Sequence, residues 1–169
     1  MFTSNKNMKN FVIKKEKRHN MQNILIMRKD VLYMKKTKIL VPLDGTERSM
    51  HSLNWLKKFF NKDDIEIILM NVREIVLTED IVISNQCEFL ANESELVLAD
   101  AIKELEGYKC ETFSTLGYSA DEILKKAKED RCDMIIMTKS TKKGLPRMIG
   151  SVSSKVIKHA ETAVVVLPQ

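Results

Sequence analysis

Five short strand-like runs, separated by amphipathic segments, restrict the fold of this chain more than any other feature. Four are almost wholly apolar, as in parallel strands buried on both faces: KILVPL (38–43), IEIILMNV (65–72), CDMIIM (132–137) and AVVVL (163–167). The fifth, CETFST (110–115), is more polar and fits a strand at a sheet edge. The order β-α-β-α-β-α-β-α-β with right-handed crossovers predicts an α/β fold, a five-stranded parallel sheet in a three-layer α/β/α sandwich.

The segments between the runs carry helix signals. Thr46 is placed to cap a first helix with an apolar stripe, and Ser119 with Glu122 has the spacing of a capping box before a third. Gly150 and Ser151 open a fourth helix over 151–159. The second helix ends near Gly107, and its predicted apolar face consists of Leu90, Val97, Leu98, Ala101 and Leu105. Residues 74–85 fit no element and are left open between a loop, a lid and part of an interface.

The basic charge of the chain belongs to its N-terminal extension. Residues 1–36 hold ten Lys or Arg against Glu16 and Asp30, a net charge of +8, whereas residues 37–169 hold 18 basic and 21 acidic residues, a net charge of −3. We therefore expect two parts, an extension over 1–35 and a domain over 36–169, and no nucleic-acid surface on the domain. The extension is either a basic arm for an acidic surface or membrane face, or a disordered tail or over-extended start with Met34 as first residue.

Cysteine spacing and hydropathy point to the cytoplasm. Cys87, Cys110 and Cys132 are far apart without a CxxC pair, which fits neither a disulfide framework nor a zinc cluster and indicates packing residues in a reducing compartment. No apolar run reaches the roughly 20 residues of a membrane helix, and the first 36 residues lack a signal-peptide core.

Two loops stand out at the predicted carboxyl edge of the sheet, where parallel folds bind ligands. One is VPLDGTERS (41–49), in which Asp44 is either a ligand-binding carboxylate or an Asx-turn residue. The other is TKSTKKGLPRMIGS (138–151), which carries Lys139, Lys142, Lys143 and Arg147 before the helix start at Gly150. These cations either attract phosphate or are solvated charges beside an ordinary helix cap.

Three blocks of the domain resemble the universal stress protein family. They are KKTKILVPLDGTERSMHSLNWL, GYSADEILKKAKEDRCDMIIM and IGSVSSKVIKHAETAVVVLP, in this order and spacing, and the resemblance covers about 36–169. It implies an adenine nucleotide alpha hydrolase-like fold with strand order 3-2-1-4-5 and a homodimer paired through the last strand, Ala163–Leu167. In that order strands one and four are neighbours, so the two loops meet.

The resemblance also implies a nucleotide site. Family members that bind ATP or AMP use the end of strand one, the end of strand two, and a Gly-x2-Gly-x9-Gly-Ser/Thr segment after strand four; Mg²⁺ enters only with ATP. The matching positions in this chain are Pro42, Leu43, Asp44, Val72, Met137, Thr138, Thr141, Gly150, Ser151, Val152 and Ser153. The segment is degenerate, because Thr138 and Thr141 replace the two glycines and eight residues, rather than nine, precede Gly150.

The sequence disfavours an enzyme. We expect His51 to be a surface residue of a helix and His159 to be a helix-end residue, so neither is a predicted catalytic base. The sequence also lacks the signatures of the related adenylyl-transferring enzymes. We therefore expect slow ATP hydrolysis as a by-product at most. Two functions remain: a cytoplasmic, dimeric, nucleotide-binding stress-response module, or a nucleotide-independent dimeric interaction protein that has kept the fold.

Overall fold

The structure is a computed structural model and describes residues 35–74, 83–139 and 150–168. Five strands and four helices alternate along these residues. The strands are β1 (Thr37–Pro42), β2 (Ile65–Arg73), β3 (Cys110–Leu116), β4 (Met134–Thr138) and β5 (Ala163–Leu167). The helices are α1 (Glu47–Phe59), α2 (Ile83–Glu104), α3 (Ser119–Glu129) and α4 (Ser151–His159). The extension up to residue 34 and its predicted role lie outside the described residues.

The sheet is wholly parallel and has the order β3-β2-β1-β4-β5, which confirms the predicted α/β fold and strand order. The neighbours β1 and β4 pair with Ile39 opposite Met134 and Leu40 opposite Ile135. Their carboxyl ends therefore lie side by side, at the position where the strand order reverses. The polar strand β3 is at an edge, as its composition predicts.

One apolar cluster lies on each face of the sheet. The strands alternate between them, since Ile39 and Val41 of β1 contribute to one cluster and Leu40 to the other. The first cluster packs the sheet against α1 and α2 through Leu53, Leu56 and Leu98, and the second packs it against α3 and α4 through residues such as Ile123 and Val156. Burial on both faces explains why the central strands are continuously apolar.

Two helix boundaries differ from the sequence prediction. Helix α2 begins at Ile83, so residues 83–85 of the unassigned segment belong to it, while 75–82 lie outside the described residues. The capping box predicted for Ser119 and Glu122 is wrong. The backbone N–H groups of Asp121 and Glu122 both donate to the Tyr118 carbonyl, at 3.0 Å each, so Tyr118 is the N-cap and Ser119 is already helical.

None of the helices in the described part of the chain is both long enough and apolar enough to cross a membrane.

Candidate functional site

A tight turn after β1 presents Asp44 at the carboxyl edge of the sheet. Asp44 Oδ1 accepts hydrogen bonds from the Thr46 backbone N–H at 3.0 Å and from Thr46 Oγ1 at 2.6 Å, which makes the turn an Asx turn. Gly45 within it has a φ of +81°. Thr46 also caps α1 as predicted, since its Oγ1 accepts from the Ser49 backbone N–H at 3.3 Å.

The carboxyl group of Asp44 is held in its ionised form. Partial burial, the largest single influence, raises its pKa, but hydrogen bonds from the side chain and backbone of Thr46 and from Ser49 together outweigh burial. The net effect is a pKa below the ordinary value for aspartate. Asp44 therefore offers a fixed anionic acceptor at neutral pH.

A buried polar network fixes the chain segment that carries Asp44. The Leu43 backbone N–H donates to the Met70 carbonyl at 2.7 Å, and the Leu43 carbonyl accepts from Asn71 Nδ2 at 2.7 Å. Asn71 Oδ1 in turn accepts from Ser94 Oγ of α2 at 2.7 Å. Because Asn71 and Ser94 are buried, these bonds form in a low-dielectric interior and lock β1, β2 and α2 together.

The start of α4 contributes the facing wall. Gly150 is the N-cap in an extended conformation, and no side chain of the described residues caps the helix; Ser154 N–H donates back to the Gly150 carbonyl at 2.9 Å. The first-turn N–H groups of such a helix point outward beyond its end. Ser153 is only 1% exposed, and its Oγ has no hydrogen-bond partner among the described residues. A buried hydroxyl without a partner is rare and calls for an explanation.

These groups line one crevice, which we call the Asp44 crevice. Of the predicted site residues, it brings together Pro42, Leu43, Asp44, Val72, Met137, Thr138, Val152 and Ser153. Gly150 and Ser151 precede Val152 on α4 but do not line the crevice. Thr141 and the cations predicted between 140 and 149 lie outside the described residues. The described ends of the two loops therefore meet in this crevice.

A sequence model described as the universal stress protein family matches residues 36–168 of the chain. The chain belongs to the universal stress protein family. The universal stress protein MJ0531 of Methanocaldococcus jannaschii is 28% identical over 156 residues, which cover 86% of this chain and 88% of the relative.

Solved structures of similar proteins share the fold of this universal stress protein domain. The hypothetical protein MJ0577, the subject of a structure-based assignment of biochemical function, is 29% identical with a TM-score of 0.68, over 79% of this chain and 96% of its own. A universal stress protein family protein of Arabidopsis thaliana, solved with AMP bound, is 20% identical with a TM-score of 0.54, over 79% of this chain and 92% of its own.

The glycine that Thr138 replaces is not needed here for its backbone freedom. Among the described residues, Arg131 is the only non-glycine residue with a positive φ, and Thr138 continues β4 in register with Leu167 of β5. A threonine therefore fits this universal stress protein domain without backbone strain. The only effect of the threonine on a ligand is the space that its side chain occupies in the crevice.

Four further lining residues were not predicted from the sequence: Ser49, Met70, Ser119 and Ile123. Met70 could have been found, because it lies two residues before Val72 in β2 and so faces the same side of the sheet. Ile123 lies one helical turn after Ser119 at the start of α3. Ser49 ends the loop 41–49 that the sequence places at the ligand-binding edge, but no pattern marks its side chain as lining a site. Ser119 shows only the spacing of a capping residue.

The N-terminus of α3, which also lies near the Asp44 crevice, is occupied by the carboxylate of Glu74. Glu74, which follows β2, accepts hydrogen bonds at its Oε1 from Ser119 Oγ at 3.1 Å and from the Ser119 N–H at 3.4 Å. A carboxylate at a helix N-terminus is favourable. Because Glu74 takes the α3 terminus, the α4 terminus is the better place for an external anion.

The universal stress protein domain offers little for metal or acid–base chemistry in its described part. No group of three or more His, Cys, Asp or Glu side chains lies close enough together there to hold a metal ion. His51 is exposed on α1. His159 is in the last turn of α4, at the opposite end of that helix from Gly150.

Proposed function

We propose that the domain over 36–169 binds an adenine nucleotide, ATP or AMP, in the Asp44 crevice and acts as a cytoplasmic stress-response module rather than as an enzyme. One observation carries the proposal: the buried Ser153 hydroxyl lacks a partner among the described residues and lies in the same crevice as the ionised Asp44. A hydroxyl without a partner among the described residues can pair with a ligand.

Each part of the crevice matches one part of a nucleotide. The carboxylate of Asp44 can accept hydrogen bonds from ribose hydroxyls, which are neutral donors. The outward N–H groups at the start of α4, together with Ser153 Oγ, suit a phosphate. The apolar side chains of Val72, Met137 and Ile123 supply the wall against which a base packs. The AMP held by the Arabidopsis relative makes AMP the first ligand to test.

Magnesium enters this proposal only with ATP. Asp44 is the one acidic residue that lines the crevice among the described residues, so a metal ion would need the phosphate oxygens of the ligand to complete its coordination. AMP binding should therefore not depend on Mg²⁺.

Isothermal titration calorimetry with ATP and with AMP on the full chain tests the proposal. Asp44→Ala and Gly150→Val should abolish or strongly weaken binding. Ser153→Ala should weaken it about tenfold to 100-fold, as expected for a lost hydrogen bond to a charged group. The matched control is Ser154→Ala, which removes the neighbouring exposed hydroxyl outside the crevice and should leave the affinity unchanged. Absence of heat with either nucleotide, and no nucleotide retained through purification, would overturn the proposal.

Ser153→Ala has a second readout that separates a binding role from a structural one. Removing a buried hydroxyl that has no partner in the described part of the chain should not destabilise the free protein, because no hydrogen bond seen there is lost. The expected result is an unchanged or higher melting temperature together with weaker nucleotide binding. A clear loss of stability would mean that the hydroxyl serves the fold.

The second candidate function is a nucleotide-independent, dimeric interaction protein. The Thr138 side chain in the Asp44 crevice favours it, because that side chain takes space from a ligand. Both candidates include a homodimer through β5, whose outer edge has no neighbouring strand among those described and whose composition is apolar. The free thiols of Cys110 and Cys132 support a cytoplasmic location for either.

One substitution addresses the dimer without disturbing the sheet. Lys139 N–H donates to the Leu167 carbonyl at 3.1 Å, so Leu167 faces β4 and the N–H of Val166 points to the open edge. Proline is tolerated in an edge strand where its missing N–H would face outward. We expect Val166→Pro to convert a dimer to a monomer in light scattering while the fold persists. A wild-type chain that is monomeric at high concentration would contradict this pairing.

A further inference from the structure

A second cavity lies at the opposite edge of the sheet from the Asp44 crevice. It has a volume of about 330 Å³ and opens between the C-terminal ends of α3 and α4, next to the amino ends of β4 and β5. Its apolar side chains include Leu124, Ala127, Cys132 and Ile135. This volume and this apolar lining are typical of small-ligand sites. We call it the Arg131 cavity.

The Cys132 thiol is part of the apolar lining of this cavity. Burial, and secondarily the negative charge of Asp130, raises the pKa of Cys132 to about 11. The thiol is therefore neutral at physiological pH and acts as an apolar surface rather than as a nucleophile.

Basic side chains surround the apolar lining. Lys128 is paired with Glu161 at 2.7 Å, which neutralises the one acidic residue of the lining. Lys125, Arg131 and His159 also line the cavity. Cations near helix C-termini complement the helix dipoles, which accounts for some of these residues. The helix dipoles do not explain why these cations lie around an apolar cavity.

Arg131 occupies a position where an arginine is unfavourable. Its φ is +52°, and it forms the C-terminal turn of α3: its N–H donates to the Lys128 carbonyl and the Cys132 N–H donates to the Ala127 carbonyl. Glycine is the usual residue at such a turn, because an L side chain is strained there. Arg131 forms no side-chain ion pair or hydrogen bond with any residue that the structure describes, so the fold gains no side-chain interaction there in exchange for the strain.

We propose that the Arg131 cavity binds a small apolar carboxylate, such as a medium-chain fatty acid. The guanidinium of Arg131 pairs with the carboxylate in bidentate geometry, and Leu124, Ala127 and Ile135 bury the hydrocarbon body. Lys125, which also lines the cavity, adds positive potential. The proposal uses none of the residues of the Asp44 crevice and stands independently of nucleotide binding.

Titration of the ¹⁵N-labelled full chain with octanoate tests this site, with 1-octanol as the uncharged probe of the same length. We expect shifts of the Cys132 and Ala160 amide signals with octanoate and at least tenfold weaker binding of octanol. Arg131→Gly keeps the turn, because glycine favours a positive φ, and should weaken octanoate about tenfold through loss of the charged pair. Lys103→Gln removes a cation from α2, outside the cavity, and should change nothing.

A variant that fills the cavity gives an independent readout. Ala160→Phe places a ring in the cavity, and we expect it to abolish octanoate binding while its circular dichroism spectrum stays that of the wild type. If Ala160→Phe does not fold, the Arg131→Gly result decides alone. Octanoate that binds Arg131→Gly as tightly as the wild type, octanol that binds as tightly as octanoate, or no binding at millimolar octanoate would each overturn the proposal.

Discussion

Asn71 Nδ2 donates a hydrogen bond to the carbonyl oxygen of Leu43 across 2.7 Å, in the interior of the domain and one residue before Asp44. The same amide accepts from Ser94 Oγ of α2, also at 2.7 Å. An amide can serve both partners because its nitrogen donates and its oxygen accepts. The conformation of the turn that presents Asp44 thus depends on a helix outside the crevice.

Replacement of Asn71 by leucine should destabilise the domain by about 2 kcal/mol, because the Leu43 carbonyl is left buried without its donor. Ser94→Ala should cost less, about 1 kcal/mol, since the single hydroxyl proton of Ser94 is shared between Asn71 Oδ1 and the Leu90 carbonyl, which weakens each of the two bonds. Urea denaturation of both variants and of the double variant measures this. The double variant should be less destabilised than the two single effects added; strict additivity would show that Asn71 and Ser94 act separately.

Gly45→Ala should destabilise the domain by about 1–2 kcal/mol, because an L residue is strained at φ +81° and its new Cβ would lie 2.9 Å from Val97 Cγ2. Gly107→Ala is the matched control, since Gly107 has a φ of +85° but its Cβ would meet only Lys62, at 3.9 Å. We expect Gly45→Ala to be the more harmful in thermal unfolding. Equal losses would mean that the contact with α2 does not constrain the Asp44 turn.

Asp44 should contribute stability at neutral pH that disappears in acid. Its pKa in the folded state is lowered, so its contribution is complete above the pKa of the unfolded chain and is lost as the pH falls through the folded-state value. The melting temperature of Asp44→Asn should therefore lie below that of the wild type at pH 7 and approach it as the pH falls below the ordinary aspartate pKa of about 4. A difference that stays constant over this range would exclude a role for the Asp44 charge.

Cys132 should resist alkylation at pH 8. With a pKa of about 11, the thiol carries roughly 100-fold less thiolate than an ordinary cysteine at that pH. Peptide mapping after iodoacetamide treatment, with the urea-unfolded chain as control, measures the difference. Because the folded state retains this proton where the unfolded chain loses it, stability should also fall as the pH rises from about 8.5 to 11. Rapid modification of the native Cys132 peptide at pH 8 would contradict its burial.

The fold could be predicted because the signals that specify it are local and repeated. Apolar strands such as β5 at 163–167 and the helix start at Gly150 are visible in the sequence, and the structure places both at the predicted residues. The strand order, in contrast, came from the family resemblance. It brings Asp44 and Val152 to one crevice although they are more than 100 residues apart.

Features that depend on a tertiary partner could not be predicted. Asn71 reads as one polar residue within an apolar strand, and nothing in the sequence indicates that Ser94 completes its bonding. Ser119 and Glu122 have capping-box spacing, but Glu74, from the end of another strand, takes the serine hydroxyl. Arg131 at a positive φ goes against the usual preference for glycine. In the first two cases a contact between distant segments outweighs the local pattern.

The most direct test of the proposed function is a crystal structure of the full chain grown with saturating AMP. The account predicts the phosphate at the start of α4, within hydrogen-bonding distance of Ser153 Oγ, and a ribose hydroxyl on the Asp44 carboxylate. An Asp44 crevice that remains free of nucleotide, or AMP bound at another surface, would contradict it.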